Sequence, residues 1–157
     1  MAMNLTNNAE AVVVDASILV SMSSNEVGTH LLAEAAFNNY SQNGWEFFAP
    51  NVIVSEVLFA LCQKLSSGIL TQTEYEQAVD KFLLLMQNIS TETDDQSFIK
   101  RAVEIRETYG CSRSSDSLYI ALAEDLAKTR AVELLTFDKG MINQSAKNAP
   151  TVTVKVL

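Results

Sequence analysis

Short apolar runs alternate with stretches of helical periodicity along this 157-residue chain. Val12 to Asp15 continues an apolar run from Ala11, the pattern of a strand buried on both faces of a parallel sheet. Asn25 to Tyr40 has helical spacing through Val27, Leu31, Leu32, Ala35 and Ala36, with Gly44 beyond it. Trp45 to Ala49 reads as a second strand, stopped by Pro50, and Asn51 to Ser66 as a helix closed by Gly68. Thr71-Gln72-Thr73-Glu74 is a capping box for a helix reaching about Gln87. Ile89 to Thr91 fits a minimal strand. Asp94 and Asp95 read as caps opening a helix that ends at Gly110, and Ser114 or Ser115 caps another reaching about Lys128. Val132 to Thr136 is a strand, a short helix follows Asp138, and Val152 to Val156 is the last strand. Strands alternating with helices predict an α/β fold around a mostly parallel sheet.

The length fits one domain over residues 11–157, after a polar lead-in, Met1 to Glu10, that reads as disordered and has no signal-peptide pattern. No apolar stretch approaches the ~20 residues of a membrane span. Cys62 and Cys111 read as buried free thiols in a reducing cytosol, which predicts a cytoplasmic protein. His30 is the single histidine and lies far from any obvious nucleophile, which argues against Ser-His-Asp and Cys-His catalysis. The net charge is −8. Such a surface is poor for unaided binding to polyanions, yet it suits an enzyme that reaches phosphate through a metal.

Four acids stand in apolar settings. Asp15 ends the Val-rich run, Glu56 lies in Val54-Ser55-Glu56-Val57-Leu58, Asp116 opens Asp116-Ser117-Leu118-Tyr119-Ile120, and Asp138 ends Leu134-Leu135-Thr136-Phe137-Asp138. Asp15 and Asp138 fall at the carboxyl ends of strands, the edge where open α/β sheets build their sites. Glu56 shares a helix face with Ile53, Phe59 and Ala60, and Asp116 shares one with Tyr119, Ile120 and Ala123. Singly, Asp116 also fits a first-turn acid, Asp138 an N-cap and Glu56 a partly exposed edge position. Together they suggest one pocket, and unpaired buried carboxylates are costly. Mg²⁺ or Mn²⁺ would relieve that cost with oxygen ligands alone.

Val13-Val14-Asp15-Ala16-Ser17-Ile18-Leu19-Val20 resembles the opening motif of PIN domains. Ala49-Pro50 with Val54 to Leu61, then Ser115 to Glu124, then Leu134 to Met141 resemble the family's later motifs, in order and in approximate spacing. The likeness runs from about residue 11 to the end and is nearest to VapC-like toxin ribonucleases of type II toxin–antitoxin pairs. It implies a three-layer α/β/α fold and a metal-dependent endoribonuclease in which Asp15, Glu56, Asp116 and Asp138 hold Mg²⁺ or Mn²⁺. Ser17 and Thr136 match hydroxyl positions that orient the site. The resemblance further implies an RNA substrate, a homodimer and a small antitoxin. Arg113 and Lys139 stand where they could contact flanking phosphates.

Two other readings stay in view. A haloacid-type phosphotransfer domain needs a second Asp two residues after the first, where Ser17 stands, and a receiver domain needs an acid pair near its first strand. A PIN-like module that binds RNA or protein without turnover is the stronger rival.

Overall fold

The structure, a computed structural model, describes residues 9–91, 95–108, 110 and 115–157. The chain order is β1 (Ala11–Val14), α1 (Ala16–Ser23), α2 (His30–Gln42), β2 (Glu46–Phe48), α3 (Val52–Ser66), α4 (Gln72–Met86), β3 (Ile89–Ser90), α5 (Asp95–Glu107), α6 (Asp116–Leu126), β4 (Val132–Thr136), α7 (Gly140–Asn148) and β5 (Thr153–Val156).

The strands form one sheet in the order β3-β2-β1-β4-β5, and every pairing is parallel. The first strand is therefore the middle one. All four of its residues are fully buried, as its unbroken apolar run requires. In register, Val13 lies between Phe48 and Leu134, and Val14 pairs with Leu135. The chain steps outward from β1 through β2 to β3, then returns to the other side of β1 for β4 and β5. With this order, the right-handed rule for parallel crossovers puts α1–α4 on one face of the sheet and α5–α7 on the other, which makes three layers. The direction of winding reverses between β1 and β4, so a topological switch point opens at their carboxyl ends.

The core joins Ile18, Leu19, Phe82, Phe98, Tyr119, Ile120, Leu134 and Leu135, among others. The capping box is present, with the Thr71 Oγ1 accepting from the Glu74 N–H at 3.2 Å and the Thr71 N–H donating to Glu74 Oε2 at 2.8 Å. No helix among the described residues is long and apolar enough to cross a membrane.

Some expectations fail. Ala16 to Ser23 forms helix α1 directly after β1, where the sequence pattern shows no helix. Helix α2 starts at His30 and buries Ala33, Phe37 and Tyr40. The stripe through Val27, Leu31 and Leu32 instead faces solvent, with Val27 94% exposed. Phe37 stacks on Phe47 at 4.1 Å and Tyr40 meets Trp45 edge-on, so aromatic contact rather than the aliphatic stripe orients this helix. Cys62 is free but exposed on α3 rather than buried. Helix α5 stops at Glu107, short of Gly110, which takes a positive φ of 66°. Asp94, Cys111, Arg113, Ser114 and Met1 to Asn8 lie outside the described residues.

Candidate functional site

Asp15 occupies the step from β1 into α1. Its backbone is extended (φ −76°, ψ 151°) and its side chain makes no cap bond to the helix it precedes. The carboxylate is 7% exposed and turns to β4 instead. Asp15 Oδ2 accepts from Ser17 Oγ at 2.7 Å and from Thr136 Oγ1 at 2.8 Å. Each hydroxyl is in turn the acceptor of a backbone amide. The Phe137 N–H donates to Ser17 Oγ at 3.1 Å, and the Asp138 N–H donates to Thr136 Oγ1 at 2.9 Å. A hydroxyl carries one proton, so both are directed onto the same carboxylate oxygen. Burial pushes the Asp15 pKa up, the two hydroxyls pull it back, and the charge of Asp116 raises it further.

Glu56 is half-buried on α3. Its Oε1 accepts from Tyr119 Oη at 2.9 Å. Burial raises its pKa, the Tyr119 hydrogen bond lowers it, and the charges of Asp15 and Asp116 raise it. Tyr119 is fully buried on α6. Burial, and after it the charges of Asp15 and Glu56, holds its phenol far above the usual value, so it stays a neutral donor. Asp116 sits in the first turn of α6, one turn before Tyr119, and its Oδ2 accepts from Gln144 Nε2 on α7 at 3.1 Å.

Asp138 differs from these three. It is exposed, two residues beyond β4, and its Oδ1 accepts from the Gly140 N–H at 2.8 Å, a cap-like bond at the start of α7. A Cβ at residue 140 would meet that oxygen at 3.1 Å, so glycine gives the carboxylate room. Lys139 beside it is exposed.

The charges of Asp15, Glu56 and Asp116 thus act on one another near the switch point. Among the described residues, as placed, no three of His, Cys, Asp and Glu are gathered tightly enough to grip one ion. Carboxylate oxygens are the ligands of a hard divalent cation, and Mg²⁺ takes one or two of them directly while keeping several waters. The buried Asp15 carboxylate, held by neutral donors alone on Oδ2, is the observation that fits a cation best. A groove of about 500 Å³ opens beside it, lined in part by Ser17, Val20, Glu26, Thr29, Glu56 and Phe137. A second cavity, of about 530 Å³, lies by Trp45, Phe48 and Ile89 at the β3 edge and touches none of the four acids.

A family model described as the PIN domain matches residues 12–147. The chain belongs to the PIN-domain family. Solved structures agree in fold. A chain in the crystal structure of VapBC2 from Rickettsia felis, bound to a DNA fragment from their promoter, is similar with a TM-score of 0.62 at 12% identity, over 93% of this chain and 98% of that one. A chain in the structure of VapBC-1 from nontypeable Haemophilus influenzae is similar with a TM-score of 0.60 at 13% identity, over 93% and 97%. No curated protein matches. In this PIN domain Asp15, Glu56 and Asp116 feel one another's charge, while Asp138 is exposed and bonded to the start of α7. Sequence reasoning missed Tyr119 and Gln144 as partners of the acids. Tyr119 had a signal, since it lies three residues after Asp116 and so on its face. Gln144 had none.

Proposed function

We propose that this PIN domain is a metal-dependent endoribonuclease that hydrolyses RNA phosphodiesters, and that it is the toxin of a toxin–antitoxin pair. The observation that carries the reading is the approach of Asp15, Glu56 and Asp116 at the carboxyl edge of β1 and β4, with Asp15 buried against two hydroxyls. No histidine among the described residues joins these acids, which leaves carboxylates to do the work.

Asp15, Glu56 and Asp116 would hold Mg²⁺ or Mn²⁺, with Asp138 approaching from the rim. Bound there, the ion supplies a water of lowered pKa and positive charge against the scissile phosphate. Ser17 and Thr136 would fix the orientation of Asp15 through its Oδ2. Lys139, and Arg113 as the sequence reading has it, would contact flanking phosphates. The groove past Ser17 and Phe137 would take the adjoining nucleotide. On a chain of net charge −8, that metal would offset the poor unaided binding of a polyanion.

The fold likeness to chains of VapBC assemblies supports a small antitoxin that covers the groove. We further propose a homodimer acting in the cytoplasm. The test compares wild type with Asp15→Asn and Asp116→Asn on a panel of cellular RNAs, each with Mn²⁺ and with chelator. Cleavage by the wild type alone, and only with Mn²⁺, is expected. Cleavage that persists in the variants or in chelator sinks the mechanism. RNA or partner binding without any cleavage would mark a non-catalytic module.

A further inference from the structure

We propose that Tyr119 is the positioning residue of Glu56, fixing through its hydroxyl where that carboxylate stands in the site. The inference rests on the metal-nuclease reading for its functional consequence, although the contact itself does not.

Glu56 reaches the pocket from α3, while Asp15 and Thr136 come from the sheet and Asp116 from α6. A glutamate has a long stem, and holding it still costs rotamer freedom. Among the described residues Glu56 makes no ion pair, and its one side-chain hydrogen bond is from Tyr119 Oη at 2.9 Å. That bond links residues 63 apart in sequence and ties α3 to α6. The donor is rigid. Tyr119 is fully buried, and Ile120, Leu122 and Ala123 around it on α6 are buried as well. The ring therefore cannot follow Glu56, and Glu56 must come to the ring.

The chemistry of the donor matters too. A lysine or arginine would hold Glu56 with a charge and compete directly with a cation. A phenol offers one neutral proton. It occupies Oε1 and leaves Oε2 and the negative charge for the pocket. The spacing of Tyr119 one turn after Asp116 puts the acid and the acid's anchor on one helix face. Movement of α6 would then shift Asp116 and Glu56 together.

The test uses the full chain and Mn²⁺ alone as probe. Tyr119→Phe keeps the ring and removes the hydroxyl. Its metal-free melting temperature is expected to stay within a few degrees of wild type, while its Kd for Mn²⁺ by calorimetric titration rises about tenfold. In metal-free crystals of the variant, the Glu56 carboxylate leaves its wild-type place. In a Glu56→Gln background, adding Tyr119→Phe changes the Kd no further. Wild-type affinity in Tyr119→Phe, or an unmoved Glu56, overturns the proposal. If the wild type itself binds no Mn²⁺, the metal reading fails, and the crystals alone then decide the role of Tyr119. Should Tyr119→Phe not fold, the wild type gives a second readout by NMR. Its Tyr119 hydroxyl proton is protected from exchange, and the protection is lost in Glu56→Ala. Equal exchange in both proteins also overturns the proposal.

Discussion

Thr136 and Asp15 are 121 residues apart, yet the Thr136 hydroxyl donates to the Asp15 carboxylate at 2.8 Å across the seam between β4 and β1. The same oxygen of Thr136 accepts the Asp138 N–H. One side chain thus orients an acid of the pocket and fixes the turn that carries another. Thr136→Val keeps the shape and removes both bonds. It is expected to cost roughly 1–3 kcal/mol in urea unfolding and to weaken Mn²⁺ binding by about 10- to 100-fold. Thr136→Ser should restore most of both. A valine variant with wild-type affinity would show that the hydroxyl does not orient Asp15.

Asp15→Asn separates folding from binding. The change keeps volume and removes a charge that is buried close to Glu56 and Asp116. Metal-free stability is expected to hold or rise. Wild type should gain about 2.7 kcal/mol at a metal concentration 100 times Kd, and Asp15→Asn should lose that gain. Thermal melts across a Mn²⁺ series check both statements.

The pH dependence of the metal-free protein follows from the raised pKa values of Asp15 and Glu56, whose ordinary values are 3.8 and 4.5. The folded state holds these protons more tightly than the unfolded chain. Their effect therefore favours folding at low pH, and stability falls as pH rises from the ordinary values through the raised ones. Glu34 and Glu74 oppose this below their own ordinary value, because their folded pKa values are lowered. With chelator, melting temperature should peak in mild acid and drop toward neutrality. Saturating Mn²⁺ should flatten or reverse that slope. A flat profile in chelator would contradict the burial of the two acids.

The acids should not weigh equally. Asp138 is exposed and bonded to the Gly140 N–H, whereas Glu56 lies within the field of Asp15 and Asp116. Asp138→Asn preserves the cap and should change Mn²⁺ affinity less than Glu56→Gln does. Asp138→Ala should cost about 1 kcal/mol of stability through the lost cap. Titration of the three variants side by side settles the order.

Helix α3 is apolar on two sides. Ile53, Val57 and Leu61 are buried, while Val54, Leu58 and Phe59 are 40%, 37% and 64% exposed. Cys62 continues the outer stripe. An exposed apolar stripe of this kind is what a symmetric dimer would bury. Sedimentation should give a dimer for wild type and a monomer for Phe59→Glu. A monomeric wild type at tens of micromolar would reject the assembly.

The α/β plan and most elements could be read from the chain because period and punctuation agreed there, as at Thr71-Gln72-Thr73-Glu74. Helix α1 could not be read. Its residues are buried almost all round, so Ile18, Leu19 and Val20 show no polar face to mark a turn of 3.6 residues. Helix α2 misled for the opposite reason, since its aliphatic stripe is a surface and its aromatics are the anchor. Asp15, Glu56 and Asp116 were legible as acids out of place. Tyr119 was legible only as a residue on the face of Asp116; its bond to Glu56 and the Gln144–Asp116 contact were not, because they join separate helices and depend on packing that no local pattern encodes.

The central strand is the first one made. Asp15 leaves the ribosome early, but the strand that supplies Thr136 and the amides of Phe137 and Asp138 arrives more than a hundred residues later. Contacts of such separation form late in folding. A truncated or nascent chain therefore carries the acid and Ser17 without the Thr136 hydroxyl. Completion of the polypeptide is therefore the step that sets Thr136 against Asp15, and a product ending before β4 lacks that contact.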